Sequence, residues 1–233
     1  MLPVASMPGI LEVIVTTAAE AAAAEAGGAD RLELVRDLSS GGLSPDLRTA
    51  RAVMDAVSIP VRAMVRETAS MSAGDEVEME TLRACAGEFA RLPVDGLVAG
   101  FIRGGEIDID AMRRLLEPVP HVRVTFHRAF DEVANPLRAI EHLKSIRQIE
   151  HILTSGGQDD WPHRKRRLLE WQGAASPEIT ILVAAGLDPR VLQDLNREPL
   201  PFEFHVGRAA RKSHQVSNPI DRAQIASLKS LIQ

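Results

Sequence analysis

The chain has 233 residues, 45 % apolar and 25 % charged, with a formal net charge of −5. That profile suits one globular domain with a large core and argues against a basic, phosphate-tracking surface, so no nucleic acid partner is expected. A single cysteine, Cys85, gives no disulfide framework, the opening MLPVASMPGI lacks a secretion signal, and no apolar run reaches the roughly eighteen residues of a membrane span; a cytoplasmic protein is expected.

The first strand is ILEVIV (10–15). Thr17-Ala-Ala-Glu20 after it reads as a capping box, and Gly27-Gly28 can end the helix that follows. RLELV (31–35) is the second strand, and Ser44-Pro45 marks the next helix start, a capping side chain before a proline suited to the first turn. VRAMVR (61–66) is followed by EVEMETLRACAGEFARL, where Met79, Leu82, Cys85 or Ala86, and Phe89 share one helical stripe. DGLVAG (95–100) and VRVTFH (122–127) are the fourth and fifth strands, and Asn135-Pro136 starts a helix. EHILTS (150–155), ITILVA (179–184) with Asp188-Pro189, and FEFHVG (202–207) with Asn218-Pro219 complete the series. Strands alternating with helices at this spacing imply βαβ units and a parallel sheet. Eight units predict a closed (β/α)8 TIM-like barrel, one domain over 1–233, with 1–9 a short extension and 218–233 the closing helix. A doubly wound open sheet would show G-x-G-x-x-G after the first strand, and VTTAAEA does not.

In such a barrel the outer face of each strand packs on helices and is apolar, so polar residues alternating with apolar ones point inward. Val122, Val124 and Phe126 therefore face the helices, and Thr125 and His127 face the interior. The same parity turns in Glu12, Glu33, Arg66 (with Met64), Glu203 and His205. These charges form either a structural ion-pair layer, such as Glu33 with Arg66, or a site, since buried charges are costly unless paired. His127, Arg66 and His205 end their strands, on the face where barrel enzymes work.

The stretch VTFHRAFDE (124–132) also delivers Arg128 and Asp131 beyond its strand. The loops TSGG (154–157) and AAGL (184–187) are turns or anion cradles, in which glycine lets backbone N–H groups approach a ligand. HRKRRLLEW (163–171) reads as a solvated helix face beside Leu168, Leu169 and Trp171. Cys85 reads as a small packing residue. His121, His142, His151, His163 and His214 have no partner spacing and receive no role.

The segments LEV with Glu12, AGGADRLEL (26–34), GGLSP (41–45), VTFHRAFD (124–131), ILTSGG (152–157) and FEFHVG (202–207) resemble the blocks of the CutC family, in its order, over about 10–210. The resemblance implies a (β/α)8 barrel and a homodimer, and the family is named for copper homeostasis. Val35 stands where members often carry a cysteine. Three readings follow. One is an isomerase- or lyase-type enzyme for a small anionic or polyhydroxylated metabolite, with Glu12, Glu33, His127 and His205 as catalytic groups. Arg66, Arg128, Ser155, Gly156 and Gly157 would then hold the ligand's anionic group. A second is a divalent-metal site built from His127, His205, Glu33 and Glu203; the sequence assigns no metal ligand and requires no cofactor. The third is copper handling.

Overall fold

The computed structural model describes residues 9–233. Eight parallel strands close a barrel in chain order: β1 (Leu11–Val15), β2 (Arg31–Leu34), β3 (Val61–Met64), β4 (Gly96–Ala99), β5 (Arg123–Phe126), β6 (Ile149–Thr154), β7 (Thr180–Val183) and β8 (Glu203–Val206). β8 pairs with β1, through Glu12↔His205, so no edge is left open. The helices are α1 (Ala18–Ala26), α2 (Leu47–Ala56), α3 (Glu76–Phe89), α4 (Ile109–Leu116), α5 (Pro136–Lys144), α6 (Trp161–Ala175), α7 (Pro189–Asn196) and α8 (Arg222–Ser230). A two-stranded hairpin, Ile102–Arg103 with Glu106–Ile107, stands on the loop after β4. Except for Gly9, the expected N-terminal extension lies outside the described residues.

Local chemistry sets the helix starts, and it corrects two of them. Thr17, Asn135 and Asp188 cap α1, α5 and α7 as their sequence predicts, each accepting from a first-turn N–H; such a cap is worth about 1 kcal/mol. Glu20 completes its box one residue early, accepting from Thr16 N at 2.8 Å. At Ser44-Pro45 the cap is Asp46 instead, because the Ser44 hydroxyl is bonded to the Arg66 backbone. At Asn218-Pro219 the cap is Asp221, and the closing helix begins only at Arg222 because Ile220 bridges Arg211.

Parity holds around the barrel. Val13, Leu32, Ala63, Leu97, Val124, Phe126, Ile181 and Phe204 are buried in the layer between strands and helices. Phe130 and Trp171 meet edge to face there, centroids 5.4 Å apart. Each large side chain buried in this layer contributes roughly 1.5–3 kcal/mol. The smaller apolar set inside the barrel is Ile14, Val35, Met64 and Val98, with Leu153, Leu182 and Ala184 opposite. The β5–β6 register shifts between Val124 and Thr125, so Ile149 and His151 oppose successive residues. That bulge turns His151 inward beside Thr125.

Candidate active site at the carboxyl ends of the strands

The interior is built in two tiers. In the lower one Arg31 holds Glu12 through Nε and Glu203 through Nη2 at 2.6 Å. Glu203 also accepts from His151 Nε2 at 3.0 Å. Arg62, 1 % exposed, donates to Thr125 Oγ1 at 2.7 Å, His151 Nδ1 at 2.8 Å, and Asp95 at 3.0 Å. Every cation here faces a carboxylate, the condition under which buried charge is tolerated. Burial, with Arg62 and Arg31 nearby, outweighs Glu203 and lowers the His151 pKa, so this imidazole is neutral. The structural ion-pair layer foreseen from parity exists, but from Arg31, Arg62 and His151 rather than from Glu33 with Arg66. His151 therefore has a structural role, contrary to the sequence reading.

Above it stands a carboxylate–imidazole–carboxylate relay. His205 Nδ1 lies 2.8 Å from Glu12 and Nε2 lies 3.4 Å from Glu33. Burial alone would raise the Glu12 carboxyl, but Arg31 and His205 outweigh it and hold Glu12 well below the carboxylate range. Burial pushes Glu33 up to about 7; Glu12 adds to the rise, while His205 and Arg31 oppose it. For His205, burial disfavours the imidazolium, yet the two flanking carboxylates win and raise its pKa. Glu33 Oε1 is buried with no hydrogen-bond partner. A carboxyl that titrates near neutrality and keeps one oxygen free is suited to moving a proton.

The relay opens into a cavity of about 510 Å³, whose lining includes Glu33, His205, Arg66, His127, Arg128 and Met64. His127 ends β5. Its Nδ1 accepts from Ala129 N at 3.2 Å, so its proton sits on Nε2. Burial, reinforced by Arg66, lowers its pKa to about 3, leaving a neutral donor throughout the physiological range. Gly100 is required beside it: a Cβ there would stand 2.7 Å from Nδ1. Arg66 is held by the carbonyls of Ala69 (2.5 Å), Ser70 (3.3 Å) and Gly42 (3.4 Å), and has no carboxylate in salt-bridge contact among the described residues. Its charge is oriented, and Glu132, also in the cavity lining, is the carboxylate that acts on it without a salt-bridge contact.

The structure thus brings Glu33, His127, His205, Arg66 and Arg128 to one cavity. Glu12 is not part of its lining; at 1 % exposure it lies beneath, as the counter-charge of Arg31 and His205. Ser155, Gly156 and Gly157 do not join Arg66 either. Their amides donate to Asp131 (3.0 Å), Thr154 Oγ1 (3.1 Å) and Ser155 Oγ (3.1 Å), which leaves no N–H for an anion. Asp131 accepts from the Ser155 amide and, at 2.5 Å, from the Thr154 hydroxyl while pairing Arg128 at 2.9 Å, so the loop after β5 clamps the loop after β6. Arg164 and Arg167 of the basic run also correct the reading of a merely solvated face, since they donate to the Ser155 and Gly156 carbonyls, both at 2.7 Å.

For metals, the cluster that forms is Glu12, Glu33 and His205, with donor atoms within 4.8 Å of one another. Glu203 belongs to the lower tier, so the four-residue set read from sequence does not assemble. The existing cluster is closed by the Arg31 and His205 hydrogen bonds to Glu12.

A parallel (β/α)8 barrel with ionisable groups gathered at its carboxyl mouth has the layout of barrel enzymes. The chain belongs to the CutC family, whose model matches residues 9–208. A CutC family protein of Xanthomonas axonopodis pv. citri is 33 % identical over 210 residues, covering 90 % of this chain and 87 % of that one. The copper homeostasis protein cutC homolog of Homo sapiens is 33 % identical over 210 residues, covering 88 % and 75 %. Among solved structures, a CutC protein from Streptococcus agalactiae superposes with a TM-score of 0.76 at 20 % identity, covering 85 % of this chain and 98 % of that one. Phosphoribosylanthranilate isomerase from Thermotoga maritima gives a TM-score of 0.62 at 14 % identity, covering 96 % and 98 %, a likeness of fold alone.

Proposed function

We propose that the protein is an enzyme that moves a proton beside the carbonyl of a small anionic metabolite, in an isomerisation or elimination. The observation that carries this reading is Glu33: it lines the cavity, one of its oxygens is buried without a hydrogen-bond partner, and burial pushes its carboxyl up to about 7. As carboxylate it takes a proton from the carbon next to the carbonyl, and the electron pair moves onto the carbonyl oxygen. The Nε2–H of His127 donates to that oxygen, a role a neutral imidazole fills without itself titrating. In an isomerisation, protonated Glu33 returns the proton to the former carbonyl carbon while the adjacent hydroxyl gives its proton, by way of His127 Nε2, to the former carbonyl oxygen and becomes the new carbonyl. In an elimination the enolate instead expels a hydroxyl from the next carbon, which leaves as water with the proton from Glu33. His205 stabilises ionised Glu33 between transfers. Arg66 adds positive charge beside His127, where the oxyanion develops.

Deuterium exchange tests this directly. A panel of small hydroxyaldehydes, hydroxyketones and keto acids, free and phosphorylated, is incubated with protein in deuterated water and followed by proton NMR. At least one member is expected to exchange at the carbon beside the carbonyl, and Glu33→Gln to slow that exchange about 100-fold or more. A panel with no exchange, or a Glu33→Gln variant as fast as the parent, would rule the reading out.

The relatives' name raises copper, and the residues fit it poorly. Copper(I) prefers thiolate and thioether ligands. Met64 and Met71 line the cavity, but the thiol of Cys85 sits half-buried on α3, against the layer between helices and barrel. Burial pushes that thiol up to about 11, so it stays protonated. Val35 lies inside the barrel where a thiol would have faced Met64. Competition with a copper(I) chelator under reducing conditions is expected to show no tight one-to-one binding by the monomer. Tight binding lost on Cys85→Ser would restore copper as the function.

A further inference from the structure

A second, smaller cavity of about 230 Å³ lies between the loops after β7 and β8, lined by Gly186, Leu187, Gly207, Arg208 and His214 among others. It shares Ala185, His205, Gly207 and Arg208 with the larger cavity, so the two adjoin. No carboxylate is part of its lining. Arg208 and His214 are exposed, and neither is in an ion pair among the described residues.

The backbone adds donors to these cations. Among the described residues, no backbone acceptor takes the amides of Ala185, Gly186, Gly207 or Arg208. Arg164 Nη2 donates to the carbonyls of Ala184 at 3.4 Å and Ala185 at 2.7 Å. In a trans peptide the next N–H points the opposite way, so both amides turn from Arg164. Ala185 (φ 59°) and Gly186 (φ 65°) are consecutive left-handed residues, a turn that gathers N–H groups on one concave side.

From this cavity we infer a phosphate subsite: the substrate is a phosphomonoester, its phosphate held by Arg208, His214 and these amides. The inference rests on the proton-transfer reading, and places the phosphate next to His205 with the reacting carbon over Glu33. A phosphoryl group with three terminal oxygens can accept from donors on several sides, whereas a carboxylate accepts in one plane. Loops after strands seven and eight are also where barrels commonly hold phosphate.

The test is a titration of 15N-labelled protein with inorganic phosphate and, separately, acetate, read by amide shifts. Phosphate is expected to shift Gly186 and Gly207, to bind at least tenfold more weakly to Arg208→Glu, and to bind Glu33→Gln unchanged. No shift at those glycines, equal affinity for Arg208→Glu, or equal response to acetate would overturn the subsite. In the exchange assay a phosphorylated substrate is expected to have a kcat/KM at least tenfold above its unphosphorylated counterpart, a preference lost in Arg208→Glu. Equal exchange of both forms sinks the subsite and leaves proton transfer standing. Phosphate binding at the two glycines, with no panel member exchanging, does the reverse.

Discussion

Arg31→Met is expected to lower the unfolding free energy by about 3–5 kcal/mol at pH 7.5, the range for stranding one member of a buried ion pair. Arg31 is the charge that keeps Glu12 ionised at 1 % exposure, and it also binds Glu203. Without it, burial is opposed only by His205, and Glu12 must take a proton or sit unpaired. The sign with pH follows. A carboxyl held below its unfolded pKa contributes stability above that pKa and loses it as pH falls. The gap between parent and variant should therefore be widest near neutrality and shrink below about pH 4.5. Urea unfolding at pH 7.5 and pH 4 measures it. A loss under about 1 kcal/mol at pH 7.5 would mean the lower tier is not an energetic floor.

Glu33 behaves oppositely. Its folded pKa, about 7, lies above the ordinary glutamate value of 4.5, so its contribution is intact below pH 4.5 and lost as pH rises through 7. Glu33→Gln keeps the shape and cannot ionise. Relative to the parent, the variant should gain about 2–3 kcal/mol of stability between pH 4.5 and pH 8, given about 1.4 kcal/mol per pKa unit and some relief from His205. Parallel stability curves for the two proteins would show that Glu33 titrates normally. A variant that is more stable at pH 8 yet loses exchange activity would mark a residue kept for chemistry at the expense of stability.

Most of the fold was legible because it is a periodic signal. Alternating apolar residues located all eight strands, and the inward parity of Glu12, Glu33, Thr125, His127, Glu203 and His205 followed from the same rule. Membership of the site was less legible, since parity gives direction and not depth. Glu12 and Glu33 share parity, yet only Glu33 reaches the cavity. Arg31 and Arg62 carry the same inward parity but stand near the amino-terminal ends of their strands, and only their long side chains bring them to the centre from there. His151 was hidden by the β5–β6 bulge, which a strict alternation cannot express. The TSGG amides had the right composition for an anion, but Asp131 and the loop's own hydroxyls were already their acceptors.

The guanidinium of Arg164 bears on how this barrel can diverge. One side chain on α6 holds Ser155, in the loop after β6, and Ala184 and Ala185 at the start of the loop after β7. Arg167, one turn further along, takes Gly156. The two loops are joined to a single rod and inherit each other's displacements. An insertion in either would tilt its neighbour. The connection after β3 is tied on both sides as well: Arg66 takes the carbonyls of its Ala69 and Ser70 together with that of Gly42 after β2, and its Met71 carbonyl accepts from Ile102 N in the hairpin after β4. The mouth should therefore diverge in two blocks, one running from β2 to β4 and one from β6 to β7, rather than loop by loop.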